Sequence, residues 1–467
     1  MAEPTADHAT EALPAFRDAG GGVNPLFLAA IEILLEEGDA ARLAMLAGEL
    51  HEADVADLLA ALTPDERVAY VRLMGEGFDF ATLTEVDESI RLQILKALSP
   101  AVAARGVGAL ESDDAVYILE DLDEDEKQAI LERLPISARV RLVRSLDYPE
   151  ESAGRRMQTE FVAVPGFWTV GQTIDEIRDD ENLPEDFYEI FVVDPIFHLI
   201  GTVPLDRLLR AGRNTRIADV MRENQYTVRA TEDQEDVAQL FKRYNLISVA
   251  VVDDSDRLVG VLTIDDIVDV IEQEAEEDIR ALAGVGDEEM SDSVFYAARS
   301  RFPWLFVNMF TAFLSASVIA IFDDTIAHMV ALAVLMPIVA SLGGNSGTQA
   351  MTVTVRALAT REIGRRNALK VLGREMTVAL INGAIMALIV GAVASLWFTN
   401  HEVGVVIAAA LVANVLTAGF VGVVIPLGLN AAGIDPAVAS GVLLTAITDM
   451  VGFSAFLGLS TWWFGLV

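Results

Sequence analysis

The chain has 467 residues and a formal net charge of −38, and this charge is distributed very unevenly. Residues 302–467 contain six Lys or Arg and seven Asp or Glu, so nearly all of the surplus lies in residues 1–301. Such an acidic part repels nucleic acid and anionic lipid surfaces and attracts small cations. The alternative is that the acidic surface only keeps the protein soluble or reflects a salt-adapted host. The absence of cysteine excludes disulfides, thiolate metal sites and cysteine nucleophiles.

The N-terminal part is predicted to be helical after a disordered tail. Residues 1–23 lack periodicity and lack a charged-then-apolar signal pattern, so we expect them to stay in the cytoplasm. In residues 24–155 apolar residues recur at helical spacing, in short runs interrupted by Thr63-Pro64, Ser99-Pro100 and Leu134-Pro135. This pattern predicts an all-α superhelical domain of stacked hairpins. Its acidic runs are usually solvated helix starts, but they also supply candidate ligands for a cytosolic cation: Asp113, Asp114 and Asp121.

A repeat of about 60 residues follows, when residues 156–220 are laid beside residues 221–264. Each copy is predicted to form strand, turn, strand and helix, and the pair resembles tandem α/β CBS domains. In the second copy, residues 260–266 match the G-x-x-T-x-x-D pattern of that family. The resemblance implies that Thr263 and Asp266 contact an adenine nucleotide such as ATP. The first copy departs from the pattern at Pro204 and Arg207, and a purely structural pair remains the alternative.

Residues 265–300 are predicted to form an acidic connecting helix and a linker. Apolar residues from Ile264 to Leu282 fall on one stripe, and carboxylates cover the remainder. Packed against other acidic surfaces, these carboxylates would repel one another until a divalent cation bridges them. An ordinary linker helix with a solvated face is the alternative. The candidate sensing residues are Asp266, Asp269, Glu272, Glu274, Glu276, Glu277 and Asp278.

Residues 301–467 are predicted to form a polytopic membrane domain with five helices, since a span needs about 20 apolar residues. From residue 302 onward the lysine and arginine residues all lie between the second and third spans, and Arg299 and Arg301 precede the first span on the same side. The positive-inside rule therefore places the soluble domains in the cytoplasm and the C-terminus outside, in a multi-pass protein of the cell (inner) membrane. The expected spans are Phe302–Ile321, Ile326 to about Leu342, Met376–Phe398, Val403–Leu429 and Ala437–Phe464.

Asp449 lies deep in the fifth span, which is otherwise uncharged. An ionisable residue at such a depth is a candidate for ion contact, with interhelical hydrogen bonding of the protonated acid as the alternative. Residues 337–349 add three glycines and two amides to the second span, a composition typical either of pore lining or of close helix packing. Further candidate pore-lining residues are Asn345, Gln349, Asn414 and Thr445.

The membrane part offers oxygen ligands and no thiol, which favours hard cations, Mg²⁺ first and then Mn²⁺ or Ca²⁺. One carboxylate per chain cannot dehydrate Mg²⁺, so a site that holds the hydrated ion between symmetry-related chains fits better. The scattered histidines form no catalytic or ligand spacing, and an enzyme is not expected.

The order of these parts resembles the MgtE family of magnesium channels and transporters, with P-x-x-x-x-x-G-G-N-x-G-x-Q in the second span followed by residues 356–359. The resemblance covers almost the whole chain from about residue 24. It implies a homodimer with a central pore and a pore aspartate matched by Asp449. It also implies Mg²⁺ entry, closed by cytoplasmic Mg²⁺ bound to the acidic domains. The alternatives are a transporter of Mn²⁺, Co²⁺ or Ca²⁺, and a membrane-anchored nucleotide sensor that conducts nothing.

Overall fold

The computed structural model describes residues 15–180, 183–184, 187–223, 226–286, 294–363 and 367–465. The chain divides into two compact units, Met1–Glu272 and Gln273–Val467, and the boundary falls inside one helix. The predicted fold class is confirmed: an all-α region, a CBS-type α/β region and a polytopic helical region follow one another along the chain.

The first unit begins with short helices that start where the sequence supplies caps. Thr63 and Glu66 form a capping box at the start of α4, with Pro64 in its first turn. The helices enclose a core that includes Leu59 and Tyr70. Their bounds are α1 Pro25–Glu37, α2 Ala40–Ala47, α3 Glu52–Ala61, α4 Pro64–Met74, α5 Glu88–Ala97, α6 Pro100–Val107, α7 Ser112–Glu120, α8 Glu124–Leu131, α9 Ile136–Leu146 and α10 Ala153–Arg156, with 3₁₀ turns at Gly75–Gly77 and Phe80–Leu83.

The segment before α1 differs in part from the expected disordered tail. Residues 1–14 lie outside the described residues, but residues 15–23 pack onto the helical domain. The ring of Phe16 lies 5.3 Å from that of Phe27, and Arg17 forms an ion pair of 2.5 Å with Asp57. Partial burial of the Phe16 ring against the core and this ion pair hold a segment that shows no helical periodicity.

The predicted repeat folds as two three-stranded sheets of the same topology. In each, the first strand is parallel and the third antiparallel to the middle strand, with the same irregularity near the end of the middle strand. The sheets pack through a shared core that includes Phe191 and Val261. The bounds are β1 Ala163–Pro165, α11 Val170–Asp179, β2 Glu189–Val193, β3 Leu199–Pro204, α12 Leu205–Arg210, α13 Ile217–Val220, β4 Thr227–Arg229, α14 Gln234–Tyr244, β5 Ser248–Val252, β6 Leu258–Thr263 and α15 Ile264–Ala283.

The second unit contains, in the part of the chain that the structure describes, five helices long and apolar enough to cross a membrane. The second of them continues through the glycine-rich stretch to Ala359, whereas the sequence placed its end near Leu342. Glycine and amide residues lower hydropathy but leave a helix intact when neighbouring helices cover them. The bounds are α16 Val294–Ile321, α17 Asp323–His328, α18 Val330–Ala359, α19 Ala368–Trp397, α20 His401–Ala431 and α21 Pro436–Phe464.

Candidate functional site

Asp449 and Thr445 lie one turn apart on a face of α21 that the single chain leaves open. Thr445 is exposed and Asp449 is half-buried, whereas Thr448 is fully buried. The hydroxyl of Thr445 donates to the carbonyl of Gly441 at 3.0 Å, which leaves its oxygen available as an acceptor. A carboxylate and a hydroxyl oxygen in line along a transmembrane helix can contact a hydrated cation.

The glycine-rich stretch of α18 has two distinct faces. Gly343 and Gly347 are buried, and a Cβ on Gly347 would lie 2.8 Å from the Leu444 side chain of α21. Asn345 and Gln349 are exposed on the other side of the helix. The glycines therefore serve close packing, as the second interpretation of the sequence held. The pore-lining role of the two amides stays a prediction.

Asn414 is placed differently from the other pore candidates. It is fully buried within the helix bundle, and its Nδ2 donates to the carbonyl of Val339 in α18 at 2.9 Å. The structure thus brings Asn414 to a helix junction rather than to the open face that carries Thr445.

A cluster of carboxylates forms in the first unit where the start of α7 meets the start of α15. Asp113 and Asp114 of α7 interact electrostatically with Asp266 of α15, and Asp269 lies within the field of Asp114. The sequence predicted these four as candidates but did not predict that they converge. Glu52, Glu85 and Asp265 complete the cluster and were missed, since nothing but their charge distinguishes them in the sequence.

Burial and mutual repulsion raise the pKa values of Asp113, Asp114 and Asp266 in this acidic cluster. Burial, then Glu52 and Glu85, raises the pKa of Asp114 to about 6. Burial raises the pKa of Asp266 to about 7, against a hydrogen bond from Thr263 that lowers it. The pKa of Asp113 is raised well above its usual range, first by burial and then by Asp266. The cluster is therefore poised near neutral pH to exchange protons for another cation.

Among the described residues, no three carboxylate or imidazole side chains are close enough together to hold a metal ion directly. The acidic cluster could instead hold a cation that retains water ligands, as Mg²⁺ commonly does in proteins.

The remaining sensing candidates have different surroundings. Asp121 is engaged by Arg91, whose Nη2 lies 2.6 Å from its Oδ2, and the acidic cluster does not include it. The pKa of Asp269 is raised mainly by burial and next by the negative charge of Glu272. Glu276 and Glu277 are exposed on α15, and Glu274 is partly exposed.

A second pair of carboxylates lies at the other end of α15, within the second unit. The pKa of Asp278 is raised by burial and then by the charge of Asp435, which caps α21 by accepting from the backbone amide of Ala437 at 2.8 Å. There Ala281 and Leu282 pack against Met351 and Leu444 of α18 and α21. Asp435 was missed because an aspartate directly before a Pro-Ala pair reads first of all as a helix N-cap.

The nucleotide motif of the second CBS copy is assembled, since the hydroxyl of Thr263 donates to Oδ2 of Asp266 at 2.6 Å. Thr263 lines a cleft with Phe161, Phe187 and Tyr188, whose rings can stack on a base. Glu160 and Glu189 also line it, and its described lining residues include no Lys or Arg. The cleft thus presents aromatic rings, a hydroxyl and carboxylates, and bare phosphates beside it would need a cation.

The first CBS copy has no such motif. Arg207 replaces the aspartate, and its guanidinium donates to the carbonyls of Val220 and Met221 at 3.0 and 3.3 Å. Arg207 therefore satisfies backbone carbonyls at the C-terminal end of α13, where the second copy has the aspartate of the nucleotide motif.

These features define a multi-pass membrane protein with a carboxylate among its spans and a CBS-containing soluble region. The family model described as a divalent cation transporter, MgtE, matches residues 336–459. The model of the MgtE intracellular N domain matches residues 50–151, and a CBS domain model matches residues 217–273. The chain belongs to the MgtE family.

Curated relatives support this membership over most of the chain. A magnesium transporter MgtE of Thermus thermophilus is 30% identical and covers 91% of this chain and 96% of its own. Its namesake in Enterococcus faecalis is 34% identical, over 68% of this chain and 70% of its own. The namesake in Bacillus subtilis is 29% identical, over 92% and 96%. A solved cytosolic domain of the Mg²⁺ channel MgtE in complex with ATP is 30% identical and covers 52% of this chain and 99% of its own, with a TM-score of 0.49.

Proposed function

We propose that this protein carries Mg²⁺ into the cell, as a channel or transporter in which Asp449 attracts the hydrated ion. The observation that carries the proposal is the open face of α21, where Asp449 and Thr445 lie one turn apart. The family model that matches this region is described as a divalent cation transporter. The relatives are named magnesium transporters, which favours Mg²⁺ over Mn²⁺, Co²⁺ or Ca²⁺ as the cargo.

Flux into liposomes tests this function. The purified protein should pass Mg²⁺, and Asp449→Asn should lower the flux at least roughly tenfold, equivalent to about 1.4 kcal/mol of lost stabilisation of the ion. Asp323→Asn is the matched control, since Asp323 is an exposed carboxylate outside the candidate spans. Faster flux of Mn²⁺, Co²⁺ or Ca²⁺ would identify another cargo, and the absence of any divalent flux would leave the non-conducting sensor.

The proposed assembly is a homodimer with cytoplasmic soluble domains. A half-buried carboxylate on an open helix face is best explained by a second chain that completes the ion path by symmetry. Arg356, Arg361, Lys370 and Arg374 support the orientation, while Arg365 and Arg366 lie outside the described residues. Light scattering of the detergent-solubilised protein would give the subunit number. Protease digestion of sealed, oriented vesicles would show which side carries the soluble part.

We further propose that cytosolic Mg²⁺ closes the path by binding at the acidic cluster of the first unit and at the pair of Asp278 and Asp435. Each combines a partly buried carboxylate with neighbouring carboxylates that repel it, and a divalent cation would relieve that repulsion. Millimolar Mg²⁺ should then protect the soluble region of the intact protein from proteolysis, because a ligand stabilises the form that binds it. The same cleavage pattern in chelator and in excess Mg²⁺ would contradict this regulation.

ATP is proposed as a second regulatory ligand, held by Thr263 and Asp266. The acidic lining of the cleft favours the Mg²⁺ complex of the nucleotide over the free anion.

A further inference from the structure

Three membrane helices meet at the side chain of Asn414, which projects from α20. A Cβ on Gly452 of α21 would lie 2.6 Å from Nδ2 and 3.2 Å from Oδ1 of this amide. On the α18 side, a Cβ on Gly343 would overlap the same Nδ2. The amide therefore fills the space that two glycines, one on each neighbouring helix, leave free.

The hydrogen bonding of Asn414 is asymmetric. Its Nδ2 donates to Val339 of α18, while its Oδ1 is buried and has no hydrogen-bond partner within the described part of the chain. A buried unpaired acceptor lowers stability, and an apolar side chain of similar shape would avoid that cost. Simple packing therefore does not explain why an amide stands at this position.

The junction lies next to the proposed ion path. Gly452 is three residues beyond Asp449 on α21, and Gly343 is two residues before Asn345 on α18. A change in the spacing or register of α18 against α21 would move Asp449 relative to the amides of α18. In a bundle packed this closely, such spacing is set by the side chains between the helices.

We propose that Asn414 is a positioning residue for ion selectivity: it fixes α18 against α21 and so sets the geometry around Asp449 without contacting the ion. This role rests on the proposed transport function. It also replaces the expectation that Asn414 lines the pore itself, since the residue is fully buried.

The first test compares selectivity with stability. Asn414→Leu removes both the hydrogen bond and the unpaired acceptor, so the melting temperature should change little, whereas the ratio of Mg²⁺ to Ca²⁺ flux in liposomes should fall roughly tenfold. Thr417→Val is the matched control on the same helix, because its hydroxyl donates to the carbonyl of Ala413, within α20, at 2.9 Å. An unchanged flux ratio in a folded Asn414→Leu protein would overturn the proposal.

The second test is a double-mutant cycle. Gly452→Ala alone should lower both the melting temperature and the flux ratio, because the new methyl collides with Asn414. In the Asn414→Ala background the methyl has room, so the double variant should be less impaired than the sum of the single variants. Additive effects would overturn the proposed junction whether or not the protein transports Mg²⁺. If the two substitutions are non-additive in melting temperature but additive in the flux ratio, Asn414 has a structural role and no role in selectivity. A wild-type protein that passes no divalent cation would refute the transport function, and with it the selectivity role.

Discussion

The hydroxyl of Thr263 donates a hydrogen bond of 2.6 Å to Asp266, and that carboxylate belongs both to the nucleotide motif and to the acidic cluster. The bond lowers the pKa of Asp266 against the effect of burial. Loss of this hydrogen bond in Thr263→Val should raise the pKa of Asp266 further. Mg²⁺ that binds at neutral pH must then displace a proton that Asp266 holds more tightly. The Mg²⁺ concentration that gives half-maximal protection from proteolysis should rise several-fold.

The same Thr263→Val variant should weaken ATP binding in equilibrium dialysis with Mg²⁺ present, because the threonine lines the cleft. Thr84→Val is the control, since its hydroxyl donates to the nearby carbonyl of Ala81. Unchanged responses to both ligands would show that the bond matters to neither.

The acidic cluster predicts a distinct pH dependence. The folded-state pKa is raised to about 6 for Asp114 and to about 7 for Asp266, above the usual value of 3.8. The protonated forms stabilise the folded state, so this stabilisation is present at low pH and is lost as pH rises from about 4 to about 7. In chelator, protection of the first unit from proteolysis should therefore be greater near pH 5.5 than near pH 7.5. Mg²⁺ should restore it at the higher pH with release of protons, and protection that rises with pH in chelator would contradict the prediction.

The pair of Asp278 and Asp435 predicts a variant that responds less to Mg²⁺. Asp435→Asn removes the charge that raises the pKa of Asp278, and with it the repulsion that a bridging cation would relieve. Flux in liposomes should then need a several-fold higher cytosolic-side Mg²⁺ concentration for inhibition. Asp254→Asn provides the control, because the Asp254 side chain is 91% exposed. Equal inhibition of the two variants would exclude the pair from sensing.

Asp121 separates stability from cation sensing. Arg91 is only 3% exposed, and Asp121 is its partner at 2.6 Å. Asp121→Asn leaves a buried guanidinium without its counter-charge, which should cost about 3 kcal/mol in the free energy of unfolding. A thermal melt would measure this loss. At a temperature where the variant is folded, the Mg²⁺ concentration that gives half-maximal protection from proteolysis should be unchanged. A large shift in that concentration would show that Asp121 takes part in sensing.

The sequence predicts the architecture well because long apolar segments, capped short helices and an internal repeat each have a local signature. The sequence also singles out Asp449 as a candidate for ion contact, because a charged residue within an apolar span is visible without a structure. It does not predict that Asp114 meets Glu52 and Glu85, because their convergence depends on how α3, α7 and α15 pack. Nor does it distinguish Asn414 from Asn345. Both are amides in apolar helices, and only the packing shows that one is buried and the other exposed.

Helix α15 crosses the boundary between the two units without a proline or glycine along its 20 residues. A continuous helix of that length measures about 30 Å and resists bending. Asp266, in the first turn of this helix, and Asp278, near its end, therefore lie on one uninterrupted helical backbone.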